Sequence, residues 1–169
     1  MEEFGTQVVP HIPRLRRYAR ALTGERTAAD DLVQDTLERA CNKLHLWRRG
    51  SDLRAWLFTI MHNVFINQVR GRRAVPDVPL NDEIMELPAH SAQADRLEIR
   101  DLDAALARLP DEQREVLLLV ALEQLSYEET AKALGIPIGT VMSRLSRARE
   151  RLRGIMAGLP GVATLKVVK

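Results

Sequence analysis

Between Ser126 and Arg153 the sequence leaves little freedom of local structure. Ser126 followed by Glu129 makes a capping box, in which a hydroxyl and a carboxylate each satisfy a backbone N–H that a helix start leaves without a partner. Thr130, Ala131 and Leu134 give the helix that begins there a small apolar face. Gly135 can take the positive φ needed where the chain turns sharply, and Pro137 stops the first helix from continuing. From about Gly139 a second helix sets Val141, Leu145, Ala148 and Leu152 on one side, at the 3.6-residue period of a buried stripe. The pattern predicts a helix-turn-helix. Arg144, Arg147, Arg149, Arg151 and Arg153 occupy much of the remaining surface, with Glu150 as the one acid. Five arginines suit a phosphate-lined groove. An Arg-rich amphipathic helix can also be only a solvated face, but the cap, the turn and the small first helix favour the motif.

Upstream, the same period predicts further helices and no strand, an all-α chain. The first runs from Ile12 through Ala21, after Pro10 and beginning around Pro13, with Leu15, Tyr18, Ala19 and Leu22 apolar and Arg14, Arg16, Arg17 and Arg20 basic. The second, about Thr27 to Leu44, turns Ala29, Leu32, Val33, Thr36, Leu37, Ala40 and Cys41 inward. It aligns Asp31, Gln34, Asp35 and Glu38 as an exposed acidic stripe. Asp52 caps a third, about Leu53 to Arg70, whose inner face is Leu53, Trp56, Leu57, Ile60, Met61 and Val64. Asn63, Asn67 and Arg70 share another face that runs into the basic cluster Arg70-Gly-Arg-Arg73. Amides beside arginines can bond base edges and phosphates; two helical asparagines can equally be plain surface residues.

Composition changes after Ala74. Residues 75–94 carry Pro76, Pro79 and Pro88 with four acids and neither lysine nor arginine, as an extended linker would. It separates a domain over residues 1–74 from one over residues 95–155, and residues 156–169 form a tail. The second domain opens with a helix from Asp95 to Leu109, apolar at Leu97, Leu102, Ala105, Leu106 and Leu109. A second begins at Pro110-Asp111, and its Val116, Leu117, Leu118, Leu119, Val120 and Leu122 are apolar nearly all round, as the centre of a small bundle should be.

Global charge decides little, because the formal net charge is +2 despite a pI near 9.0. One cysteine excludes an intrachain disulfide framework, and its place on an apolar face predicts a buried thiol. No apolar run approaches the ~20 residues of a membrane span, and the N-terminus lacks the pattern of a signal peptide, so a soluble cytoplasmic protein without membrane insertion is expected.

Four motifs together resemble the bacterial extracytoplasmic-function (ECF) sigma factors. They are Asp30-Asp-Leu-Val-Gln-Asp-Thr36; Asp52-Leu-Arg-Ala-Trp-Leu-Phe-Thr-Ile60 with Asn63; Leu109-Pro-Asp-Glu-Gln-Arg-Glu-Val116; and Gly135-Ile-Pro-Ile-Gly-Thr-Val-Met-Ser-Arg-Leu-Ser-Arg-Ala-Arg149. The last two resemble members governing the general stress response of alphaproteobacteria. The resemblance implies a region 2-like domain, a region 4-like domain and no cofactor. It implies that Asp31, Leu32, Gln34 and Asp35 grip the coiled coil of the largest RNA polymerase subunit, β′, and that region 4 meets the β flap. Arg48, Arg49, Asn63, Asn67, Arg70, Arg72 and Arg73 would serve the minus-ten element, where family members flip bases into pockets. Thr140, Ser143, Arg144, Arg147 and Arg149 would serve the minus-thirty-five element. Met142 departs from the Lys or Arg common in the family, and could meet a thymine methyl or simply pack. Regulation by an anti-sigma protein is also implied. The rival reading is a free-standing helix-turn-helix regulator that binds duplex DNA tightly without polymerase. An enzyme has little support, since His11, His45, His62 and His90 are scattered and neither a phosphate loop nor a nucleophile triad is present.

Overall fold

The computed structural model describes residues 2–74 and 93–158, and every regular element among them is a helix, without strands. The linker predicted over residues 75–94 lies outside them except for its last two residues, and so do residues 159–169 of the predicted tail. In the N-terminal unit α1 (Glu2–Val8) leads through a 3-10 turn into α2 (Ile12–Thr23), followed by α3 (Arg26–Asn42) and α4 (Leu53–Ala74). The C-terminal unit comprises α5 (Gln93–Ala107), α6 (Asp111–Leu117) with a π-helical turn at Leu118–Leu122, α7 (Tyr127–Leu134) and α8 (Ile138–Ala157).

Three of these helices follow the apolar period closely. Leu15, Tyr18, Ala19 and Leu22 of α2, Leu32, Val33 and Ala40 of α3, and Leu57, Ile60, Met61 and Val64 of α4 are buried together. The Asp52 carboxylate accepts from the Ala55 N–H at 3.3 Å, capping α4 as expected. At ~1.5 Å per residue, α4 is about 33 Å long and forms the spine of the unit.

Four expectations are corrected. A helix precedes Ile12: α1 is too short to hold itself, and it forms because Phe4 packs 6.4 Å from both Trp47 and Trp56. Cys41 is exposed, because Ala40 takes the inward position and the next residue lies ~100° further round the helix. Leu102 is 40% exposed, and among the described side chains of α5 only Ala105 and Leu106 are buried, with Leu109 just beyond; Leu97 lies outside the described side chains. The apolar helix after Pro110 is not uniform, for its ladder widens into a π turn at Leu118, leaving Val120 and Leu122 half-buried.

The two units do not stand apart. Buried residues of α2 and α4 are continuous with Leu106, Leu117, Leu119, Val141 and Leu145 in one core.

Candidate nucleic-acid and polymerase interfaces

The helix-turn-helix forms as its sequence dictates. Ser126 Oγ accepts from the Glu129 N–H at 3.0 Å, and the Glu129 carboxylate accepts from the Ser126 N–H at 2.8 Å. Gly135 ends α7 at φ +66°, and the Ile136 N–H reaches back to the Ala131 carbonyl at 3.1 Å. Val141, Leu145 and Ala148 bury one side of α8 and leave Ser143, Arg147 and Arg149 exposed, with Thr140 half-buried. The Ser143 hydroxyl donates to the Thr140 carbonyl at 3.2 Å. Arg144 differs from its neighbours: its side chain is 27% exposed and turns to Glu112 on α6, at 3.7 Å. Met142 is 51% exposed and Ile138, one turn earlier, 43%, so packing does not account for Met142.

Asn63, Asn67, Arg70 and Arg72 are exposed along α4, and Arg73 lies at its end, its side chain outside the described set. Arg48 and Arg49 are exposed in the loop before it, where Gly50 takes φ +88° and Ser51 donates to the Arg48 carbonyl at 2.6 Å. That tight turn forms one wall of a cleft of about 990 Å³, with Phe4, His11, Cys41, Trp47 and Leu53 among its other walls. Partial burial lowers the His11 pKa, as does Arg14 nearby.

On α3, Asp31, Gln34 and Asp35 are exposed, whereas Leu32 is wholly buried and supports the stripe from beneath without presenting a surface. This corrects the expectation that Leu32 belongs to the contact surface. Gln68 of α4 donates to Asp35 Oδ2 at 2.9 Å. A second cleft, about 490 Å³, is lined by both Asp35 and Asn67, so the acidic stripe and the amide row are neighbours on one surface.

The least expected groups join the two units. Arg114, at the middle of the short α6, donates to the carbonyls of Leu106, Ala107 and Leu109 at 2.7–2.9 Å and, across the junction, to Leu22 at 2.9 Å. It also donates to Asp111 Oδ1 at 3.2 Å. His62 Nδ1 lies 2.6 Å from Glu115 Oε1. Burial raises the Glu115 pKa, and the bond and charge of His62 oppose that rise. Arg17 reaches the fully buried Glu123 at 3.2 Å, and Arg54 reaches the Glu123 carbonyl at 3.3 Å and Glu129 at 3.9 Å. The other Glu123 oxygen has no protein partner. Tyr18, wholly buried nearby, has its pKa raised well above 10.0, first by burial and then by Glu115 and Glu123. The sequence signal for these groups was slight: Arg114 and Glu115 close the polar stretch Asp111 to Glu115 just before an apolar run, and nothing there marks them as buried. Among the described residues no three His, Cys, Asp or Glu side chains gather as metal ligands, and no helix is long and apolar enough to cross a membrane.

Comparison with known proteins places this geometry. Residues 8–62 match the family described as the Sigma2 domain of PhyR, and residues 99–152 match Sigma-70, region 4. The chain is 39% identical over 149 residues to the ECF RNA polymerase sigma factor EcfG of Rhodopseudomonas palustris, covering 88% of this chain and 82% of that one. Among solved structures it is similar to the sigma factor RpoE of Bartonella quintana in complex with the anti-sigma factor NepR, with a TM-score of 0.76 and 36% identity over 94% of this chain and 99% of that one. It is also similar to CnrH in complex with the cytosolic domain of CnrY, with a TM-score of 0.68 and 31% identity over 91% of this chain and 87% of that one. With two sigma regions in order and a close relative matched along most of both lengths, the chain belongs to the ECF RNA polymerase sigma factors.

Proposed function

We propose that this ECF sigma factor binds core RNA polymerase through Asp31, Gln34 and Asp35, and directs it to promoters through two separate surfaces. The domain over residues 1–74 reads the minus-ten element with Asn63, Asn67, Arg70, Arg72 and Arg73 and receives a flipped base in the cleft beside Arg48 and Arg49. The domain over residues 95–155 reads the minus-thirty-five element with Thr140, Ser143, Arg147 and Arg149. Arg144 joins them by exchanging Glu112, 70% exposed and weakly held at 3.7 Å, for DNA. An anti-sigma factor holds the protein inactive, as the complexes of RpoE with NepR and of CnrH with CnrY suggest. The protein catalyses no reaction of its own, works without a cofactor and acts in the cytoplasm.

The observation that carries this reading is the adjacency of the acidic stripe and the amide row across α3 and α4, bridged by Gln68 and Asp35. A polymerase grip next to a strand-reading face is what promoter melting requires and what a free-standing regulator has no use for. Transcription in vitro with core polymerase and genomic DNA, with start sites mapped, tests it. Starts sharing two upstream elements are expected. Tight duplex binding without polymerase, and no specific transcript with it, would favour the rival regulator.

A further inference from the structure

The first two turns of α8 differ in chemistry from the rest of the helix. Their exposed residues are Ile138, Gly139, Met142 and Ser143, and none carries a charge. Arg144, the one cation there, is turned toward Glu112 at 3.7 Å. The exposed arginines begin at Arg147 and continue through Arg149, Arg151 and Arg153. A helix-turn-helix sets the N-terminal residues of its second helix against base edges, while cations elsewhere on the surface meet phosphates. An uncharged tip followed by a basic shaft fits that division of labour.

The tip has little to offer a base by hydrogen bonding. The Ser143 hydroxyl already donates to the Thr140 carbonyl at 3.2 Å, and Thr140 is half-buried. What the tip presents is apolar: Ile138 is 43% and Met142 51% exposed, and their four-residue spacing stacks them on one face. Val141, Leu145 and Ala148 fill the buried side, so the core makes no claim on either. Gly139 adjoins both, and a Cβ added there would meet no atom within 4 Å. The surface beside Met142 is therefore a shallow notch with two apolar walls and bare backbone between them. In the major groove the base edges offer hydrogen-bond donors and acceptors, with the thymine C5-methyl as the apolar projection among them. An exposed apolar pair could also receive a protein, but the five arginines on the same helix favour a polyanion.

We propose that Met142, with Ile138 beside it, reads the methyl group of one thymine in the minus-thirty-five element, which makes it a specificity-determining residue of this chain. The proposal rests on the promoter-reading assignment and adds to it the base and the atom that is read. Deoxyuridine lacks only that methyl, so it isolates the contact. Holoenzyme formed from core polymerase and the full-length protein is assayed on a promoter taken from the mapped starts, with each thymine on either strand of the element replaced in turn by deoxyuridine. At one position the replacement should lower initiation by the wild type about fourfold, the effect of one buried methyl. Met142→Ala should be indifferent to that replacement, and at the remaining positions both proteins should respond alike. Alanine is a strong helix former at this exposed site, and circular dichroism checks the fold. Should that variant lose helicity, Met142→Gln, which keeps the length of the side chain but not its apolar end, is read in the same way. Specific starts with no position that distinguishes the two proteins, or an element with no thymine on either strand, would overturn the methyl contact and leave promoter reading intact. Loss of all specific starts with the wild type would overturn promoter reading, and the contact with it.

Discussion

Arg114 shows what a single buried guanidinium can do that a lysine cannot. Its fork serves four carbonyls at once, three where α5 ends and one where α2 ends. Replacement by Ala strands those carbonyls, and chemical denaturation should show a loss of about 3–5 kcal/mol. Lys should recover little, having one ammonium to offer. Glu115 supplies a pH signature. Its pKa is raised by burial, so its carboxyl favours the folded state while protonated, and that contribution disappears as pH rises from below 4.5 through the raised value. Denaturation of Glu115→Gln across pH should therefore show the variant gaining on the wild type as pH increases. Asp35→Arg should abolish co-purification with core polymerase while the fold persists; retention of binding would contradict the role given to the stripe. Exposure of Asp31, Gln34, Asp35, Asn63 and Asn67 was legible in the 3.6-residue period. The role of Arg114 was not, because its partners are carbonyls at the ends of other elements, and side-chain periodicity carries no information about those.

Elements announce themselves when their signals are local. The capping box, the left-handed Gly135 and the apolar stripe of α8 all lie within one 28-residue stretch, and all appear where the sequence places them. Helix α1 was invisible for the opposite reason: its stability comes from Trp47 and Trp56, some forty residues away and more. The π turn was equally hidden, since Leu118–Leu122 is apolar in either register. Two substitutions probe the motif by thermal denaturation. Ser126→Ala should cost about 1 kcal/mol through loss of the cap. Gly135→Ala should cost about 1–2 kcal/mol, because the added Cβ meets no neighbouring atom and the penalty comes from φ +66° alone.

At the scale of the whole molecule, nothing in the sequence on either side of residues 75–94 says that the helices before and after them pack together, yet they share one core. Charges that look solvated in isolation become partners only when both faces are in view. The shared core predicts a single cooperative unfolding transition by calorimetry. Combining Arg17→Glu with Arg54→Glu should divide it into two, as each unit melts alone. The pairing of bases with acids also has an electrostatic consequence. Arg17, Arg54 and His62 lie on one unit and Glu123, Glu129 and Glu115 on the other, so the junction is polarised although the net charge of the chain is only +2. Added salt, by screening these pairs, should therefore lower the stability of the packing between the units more than that of either apolar core.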